Sequence, residues 1–291
     1  MTEADADCLP PRTDLERRDS GRPGAGSGFA AAVQPVTAQT QVDTDGAGLL
    51  AGEITIAVGD FEMPAYRAAP AGKASAPVVI VVSEIFGVHE HIADVARRFA
   101  RQGYFAIAPE LFVRQGDAGS YSEIPKLVAE VVSQVPDAQV LGDLDACVAW
   151  ARRQGADTGR LGVTGFCWGG RITWLYAAHN PGVRAGVAWY GKLVGPISAL
   201  QPAHPVDVAS RLQAPVLGLY GELDASILLD SVEKMKAALA AGSTAAKKSE
   251  FVVYPGAQHA FHADYRPNYK KDAADDAWRR CLNWFTANGV A

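Results

Sequence analysis

The sequence predicts an α/β fold, with a mainly parallel central sheet and helices on both of its faces. Two observations predict it. Apolar, β-branched runs such as "PVVIVVS" (77–83) read as strands buried on both faces. These runs alternate along the chain with amphipathic stretches of helical period, the pattern of strand–helix–strand crossovers.

The elements follow in order. "EITIAV" (53–58) and "MPAYRA" (63–68) predict a short antiparallel pair, and 77–83 the first buried strand. A helix is expected over 90–102, where Ile92, Val95, Ala96 and Phe99 share one side. "YFAIA" (104–108) is the next strand, ended by Pro109. Helices are expected near 123–134 and 139–154, separated by Pro136; Val140, Leu144, Val148 and Ala151 form the second one's stripe, with Cys147 on the same side and Gly155 after its end. "RLGVTG" (160–165) predicts a strand and 168–179 a helix. Further strands are expected at 183–190, 214–221 and 250–255. "ILLDSVEKMKAALA" and the closing "KKDAADDAWRRCLNWFTA" read as helices, the latter with Cys281 beside Trp278, Trp284 and Phe285 in the core.

Residues 1–52 differ from this domain at 53–291. Phe29 is the one aromatic there, and "DSGRPGAGSGFAAAVQPVTAQTQ" is too poor in large apolar groups to build a core. A flexible or draped arm is expected. Arg17-Arg18 and the small-residue "VTAQ" give it a degenerate export-signal shape, but glycines and Pro35 break the apolar part. The expected location is the cytoplasm, with export as the alternative.

The chain of 291 residues carries 27 Lys and Arg against 32 Asp and Glu, a net charge of −5, which argues against a nucleic-acid or polyanion binder. No stretch is long enough to span a membrane. Four cysteines, Cys8, Cys147, Cys167 and Cys281, are too sparse for a disulfide framework and lack zinc-site spacing, so no metal is expected. Oligomeric state is not legible.

One turn stands out. "VTGFCWGGR" (163–171) places Cys167 between glycines, at the carboxyl end of a predicted strand and the start of a predicted helix. That is the G-x-C-x-G form of a nucleophile elbow, a strained turn that lifts one side chain above the sheet. The alternative is a packed cysteine in a glycine-rich turn. The spacing does not fit a dinucleotide-binding G-x-G-x-x-G. The N–H of Trp168 points into the same space as an oxyanion donor, and the helix N-terminus favours a thiolate. Ligands of such sheets bind at the carboxyl ends of the strands. There, 57 residues on, "GELD" supplies Asp224, and another 35 on, "GAQHAFH" supplies His259. Nucleophile, acid, His is the chain order of this class of hydrolase. His259 is expected to act as base and acid, and Asp224 to orient it. Glu222 and His262 are local rivals; His262 is expected to line the site or lie at the surface. His89, His91, His179 and His204 default to structural or solvent-facing roles.

Over residues 53–288 the chain resembles the dienelactone hydrolase (carboxymethylenebutenolidase-like) family of the α/β-hydrolase fold, through "SEIFGV" (83–88), "PELFVRQGD" (109–117), "GFCWGG", "GELD" and "GAQHAFH". The resemblance implies a Cys167–His259–Asp224 triad, Glu84 beside the thiol as a control on its proton, and the backbone N–H of Ile85 as a second oxyanion donor. It implies hydrolysis of a small ester or lactone through a thioester, with no cofactor. It departs in one respect. Dienelactone-cleaving members bind the substrate carboxylate with two arginines. Here 115–151 hold no arginine, and the position four after His259 is Ala263. Arg114, Arg171 and Arg266 are the candidates for a different anion site. The competing function classes are a catalytically quiet relative that binds a small ligand, and a cysteine peptidase, for which no extended-groove signature is present.

Overall fold

A computed structural model describes residues 42–291. Most of the N-terminal arm and Cys8 lie outside the described residues. Eight strands form one sheet in the order β1-β2-β4-β3-β5-β6-β7-β8. β1 (Leu49–Val58) and β2 (Phe61–Pro70) pair antiparallel at one edge, and β2 is antiparallel to β4 (Phe105–Pro109), which itself lies parallel to the next strand, β3 (Pro77–Val82). β5 (Asp157–Phe166), β6 (Val183–Trp189), β7 (Val216–Gly221) and β8 (Glu250–Tyr254) continue the sheet in parallel. β1 starts four residues earlier than the sequence suggests, because Leu49–Gly52 pair with Arg67–Pro70.

The period-two alternation of the buried strands divides the core. Val78, Ile80 and Val82 of β3 face one apolar layer, and Val79 and Val81 face the other. The first layer is closed by α3 (Asp137–Arg153), α4 (Trp168–His179) and α5 (Leu229–Ala240). The second is closed by α1 (Glu90–Arg101) and α6 (Lys271–Ala287). The segment expected as one helix over 123–134 is shorter: α2 (Ile124–Glu130) ends where Val131 leaves helical geometry at ψ −66° and φ −121°, and a 3₁₀ turn follows. Cys147 and Cys281 are both wholly buried, one in each layer.

The segment ahead of β1 is tied to the domain by buried carboxylates. Val42 N–H donates to Asp264 at 3.0 Å and Thr44 N–H to Asp94 at 2.6 Å. Asp264 also accepts from Arg98 at 2.6 Å and pairs with His91 at 2.9 Å. No helix among the described residues is long and apolar enough to cross a membrane.

Candidate active site

β5 ends at Phe166 and α4 begins at Trp168, so Cys167 alone makes the turn between them. Its backbone sits at φ 55° and ψ −111°, a conformation that L-residues rarely adopt and that the surroundings must enforce. The enforcement is visible. Cys167 N–H donates to the Trp189 carbonyl of β6 at 3.0 Å, and its own carbonyl accepts from Gly170 at 3.0 Å. The flanking glycines let the backbones touch. A Cβ on Gly165 would lie 2.2 Å from the Gly169 carbonyl oxygen, and one on Gly169 2.3 Å from that of Val82. The elbow is thus packed directly against the end of β3.

Two loops complete the edge. Asp224, after β7, is buried; its Oδ1 accepts from the N–H groups of Ser226 at 2.8 Å and Ile227 at 3.0 Å. Its Oδ2 lies 2.7 Å from His259 Nδ1. A carboxylate there makes Nδ1 the protonated nitrogen and leaves Nε2 for the thiol. Burial disfavours the charged ring, but a charged Cys167 sulfur and the Asp224 carboxylate outweigh it and push the imidazolium up to about 10, a value that belongs to the state in which the thiol proton has passed to the ring. Glu222 is directed elsewhere, accepting from Gly256 N–H at 2.8 Å.

The loop after β3 carries Glu84 and Ile85. Glu110, at the end of β4, pins it: its Oε1 accepts from Val88 N–H at 2.9 Å, and a Cβ on Gly87 would meet its Oε2 at 2.6 Å. Phe112 of the same "PELF" stretch packs on the Trp168 ring at 4.7 Å. These contacts give a physical reason for two of the motifs. Trp168 N–H, in the first turn of α4, has no acceptor within the helix.

Glu84 is fully buried. Its Oε2 accepts from the Tyr265 hydroxyl and from Arg266 at 3.3 Å, and lies 3.7 Å from His89 Nε2. Burial alone would raise the carboxyl, but Arg266 and His89 hold it well below the usual carboxylate range. Glu84 is therefore an ion paired through one oxygen. The other, Oε1, is buried without a hydrogen-bond partner, so the thiol does not donate to it in this conformation. Of the three candidate arginines, Arg266 reaches this group. Arg114 is bidentate to Asp143 at 2.6 and 2.9 Å, and Arg171 to Asp137 at 2.7 Å through both nitrogens.

Two histidines depart from their expected roles. His262 is not at the surface; it is buried, with its ring 4.5 Å from that of Trp189. His89 abuts the site, edge-on to Tyr265 at 4.9 Å. Tyr190 and Tyr265 were not singled out from sequence, although Tyr190 is the first residue past β6 at the sheet's carboxyl edge.

A model of the dienelactone hydrolase family matches residues 63–289. The chain is 58% identical over 294 residues to a Methylorubrum extorquens protein named "Putative carboxymethylenebutenolidase", covering 100% of both chains. A Salmonella typhimurium protein of the same name is 56% identical over 264 residues, covering 90% of this chain and 96% of that one. The crystal structure of a "Putative Dienelactone Hydrolase" from Klebsiella pneumoniae superposes with a TM-score of 0.80 at 58% identity, over 82% of this chain and 98% of that one. The architecture is the α/β-hydrolase fold.

Proposed function

The chain belongs to the dienelactone hydrolase family, and from that premise we propose that it is a hydrolase of small carboxylic esters or lactones that works through Cys167. The observation that carries this is the pairing of His259 with Asp224 at 2.7 Å beside a cysteine held at positive φ.

In this reading His259 Nε2 takes the thiol proton and the Cys167 sulfur attacks the carbonyl carbon. The C=O π electrons move to oxygen. The resulting oxyanion is stabilised by the N–H groups of Trp168 and Ile85, and losing one such donor typically costs about 10²–10³ in rate. When the oxyanion collapses, the carbon–oxygen single bond breaks. The departing alkoxide takes the proton from His259, and a lactone opens without losing a fragment. The acyl group stays on sulfur as a thioester. His259 then deprotonates a water, which attacks the thioester carbonyl, and the thiolate leaves and recovers its proton. Asp224 keeps the ring in the tautomer that both halves need. No cofactor enters these steps. Arg266 is the candidate contact for a substrate anion, which would have to compete with Glu84 for it. A reduced thiol fits a cytoplasmic setting.

The test is a panel of p-nitrophenyl esters and five-membered lactones, half of each carrying a carboxylate. Turnover of any member, abolished by His259→Ala, is expected. No turnover and no thiol acylation across the panel would favour a ligand-binding relative instead.

A further inference from the structure

Two residues leave neighbouring strands at the same level, both at positive φ. β5 and β6 pair up to Phe166 opposite Trp189. The next residues, Cys167 and Tyr190, sit at φ 55° and 39°. The first donates its N–H to Trp189 at 3.0 Å, the second to Leu219 at 2.8 Å. Positive φ is a strained choice for a bulky aromatic residue and persists only when its surroundings over-determine it. Here it fixes a wholly buried ring, edge-on to His259 at 5.2 Å and to Phe261 at 5.4 Å.

The Tyr190 hydroxyl is buried and has no hydrogen-bond partner, which a packing role alone leaves unexplained. The ionisable groups around it come from three segments: Glu84 from the loop after β3, Tyr265 and Arg266 from the loop after β8, and Cys167 from the elbow. His259 stands against its ring, with Asp224 behind, and His89 lies beyond Glu84. Burial and the Glu84 charge hold the phenol well above 10, so it keeps its proton and serves as a donor.

We propose that Tyr190 is a positioning residue for the nucleophile, its hydroxyl donating to the Cys167 sulfur once the thiol proton has moved to His259. This rests on Cys167 being the nucleophile. No bond to Tyr190 forms or breaks. In the resting thiol the hydroxyl lacks a good acceptor, and in the thiolate it gains one. The bond therefore favours the reactive state over the resting one, which is the condition for accelerating the chemical step. It also offsets the unfavourable nearness of the Glu84 charge.

The test uses the full chain and Tyr190→Phe, which keeps the ring. Iodoacetamide alkylation of Cys167 is followed against pH, alongside melting temperature and p-nitrophenyl ester kinetics. The alkylation profile is expected to move to higher pH. The rate at neutral pH should fall about tenfold, and kcat should fall by a similar factor with KM little changed, the scale of a hydrogen bond to an ion. A superimposable pH profile with unchanged kcat would overturn the proposal. If Tyr190→Phe melts well below the parent, 3-fluorotyrosine at position 190 preserves packing and strengthens the donor; the profile must then move to lower pH, and a static one is equally contrary. Cys167→Ala separates the two readings: if it still turns over ester, the nucleophile assignment fails, whereas an inactive Cys167→Ala with a parent-like Tyr190→Phe rejects only the role of Tyr190.

Discussion

The Glu84 carboxylate is gripped by Tyr265 and Arg266, two residues of the loop that also delivers His259. In the proposed mechanism the Glu84 charge disfavours a thiolate at Cys167, and Arg266 both holds and partly offsets that charge. Glu84→Gln removes the anion and leaves Arg266 buried with less compensation. Both changes favour the thiolate, so iodoacetamide should alkylate the variant about tenfold faster at neutral pH, one pKa unit's worth of charge effect. The variant should also lose about 3–5 kcal/mol of stability through the broken buried pair. Equal alkylation rates would remove Glu84 from control of the thiol.

Glu110 tethers the loop that presents Ile85 by accepting the Val88 N–H at 2.9 Å. Glu110→Ala leaves that N–H unsatisfied and lets the loop drift. Urea denaturation should register a loss of about 1–3 kcal/mol. Ester kinetics should show kcat lowered about tenfold or more, since a misplaced oxyanion donor acts on the transition state. A stability loss with kcat intact would confine Glu110 to a structural role.

His259 carries the clearest pH signature. Its folded-state value of about 10 lies above the ordinary 6.5, so protonating the ring stabilises the folded form. That contribution is complete below about pH 6.5 and is lost as pH rises through about 10. His259→Gln lacks it. The gap in melting temperature between parent and variant should therefore narrow steadily from about pH 6.5 to pH 10. A gap independent of pH would show that the ring is not charged in the fold.

The strands and the crossover helices were legible because burial on both faces leaves a continuous apolar signature, and helix faces leave one of period 3.6. The order of Cys167, Asp224 and His259 was legible because each lies in the segment that follows a strand, and parallel strands bring their carboxyl ends to one edge. The fates of the arginines were not. Arg114 finds Asp143, and Arg171 finds Asp137, both across to α3, and no local period encodes a pairing between elements. Tyr190 reads in sequence as the last apolar residue of a strand. Only the left-handed turn that follows Trp189 reveals its hydroxyl as an unpartnered donor. His262 looks like a loop residue, yet the turn at Ala260, with φ 61°, folds it back under Trp189 and Phe166.

In the proposed mechanism it is Cys167 that forms the bond to the acyl group. The most direct test of this is rapid acid quench of the parent protein during turnover of a p-nitrophenyl ester, followed by peptide mass spectrometry, with Cys167→Ala in parallel. A single acylated peptide, modified at Cys167, is expected, and in Cys167→Ala neither acylation nor turnover, with the melting transition retained. Acylation at another residue, or turnover undiminished in Cys167→Ala, would contradict it.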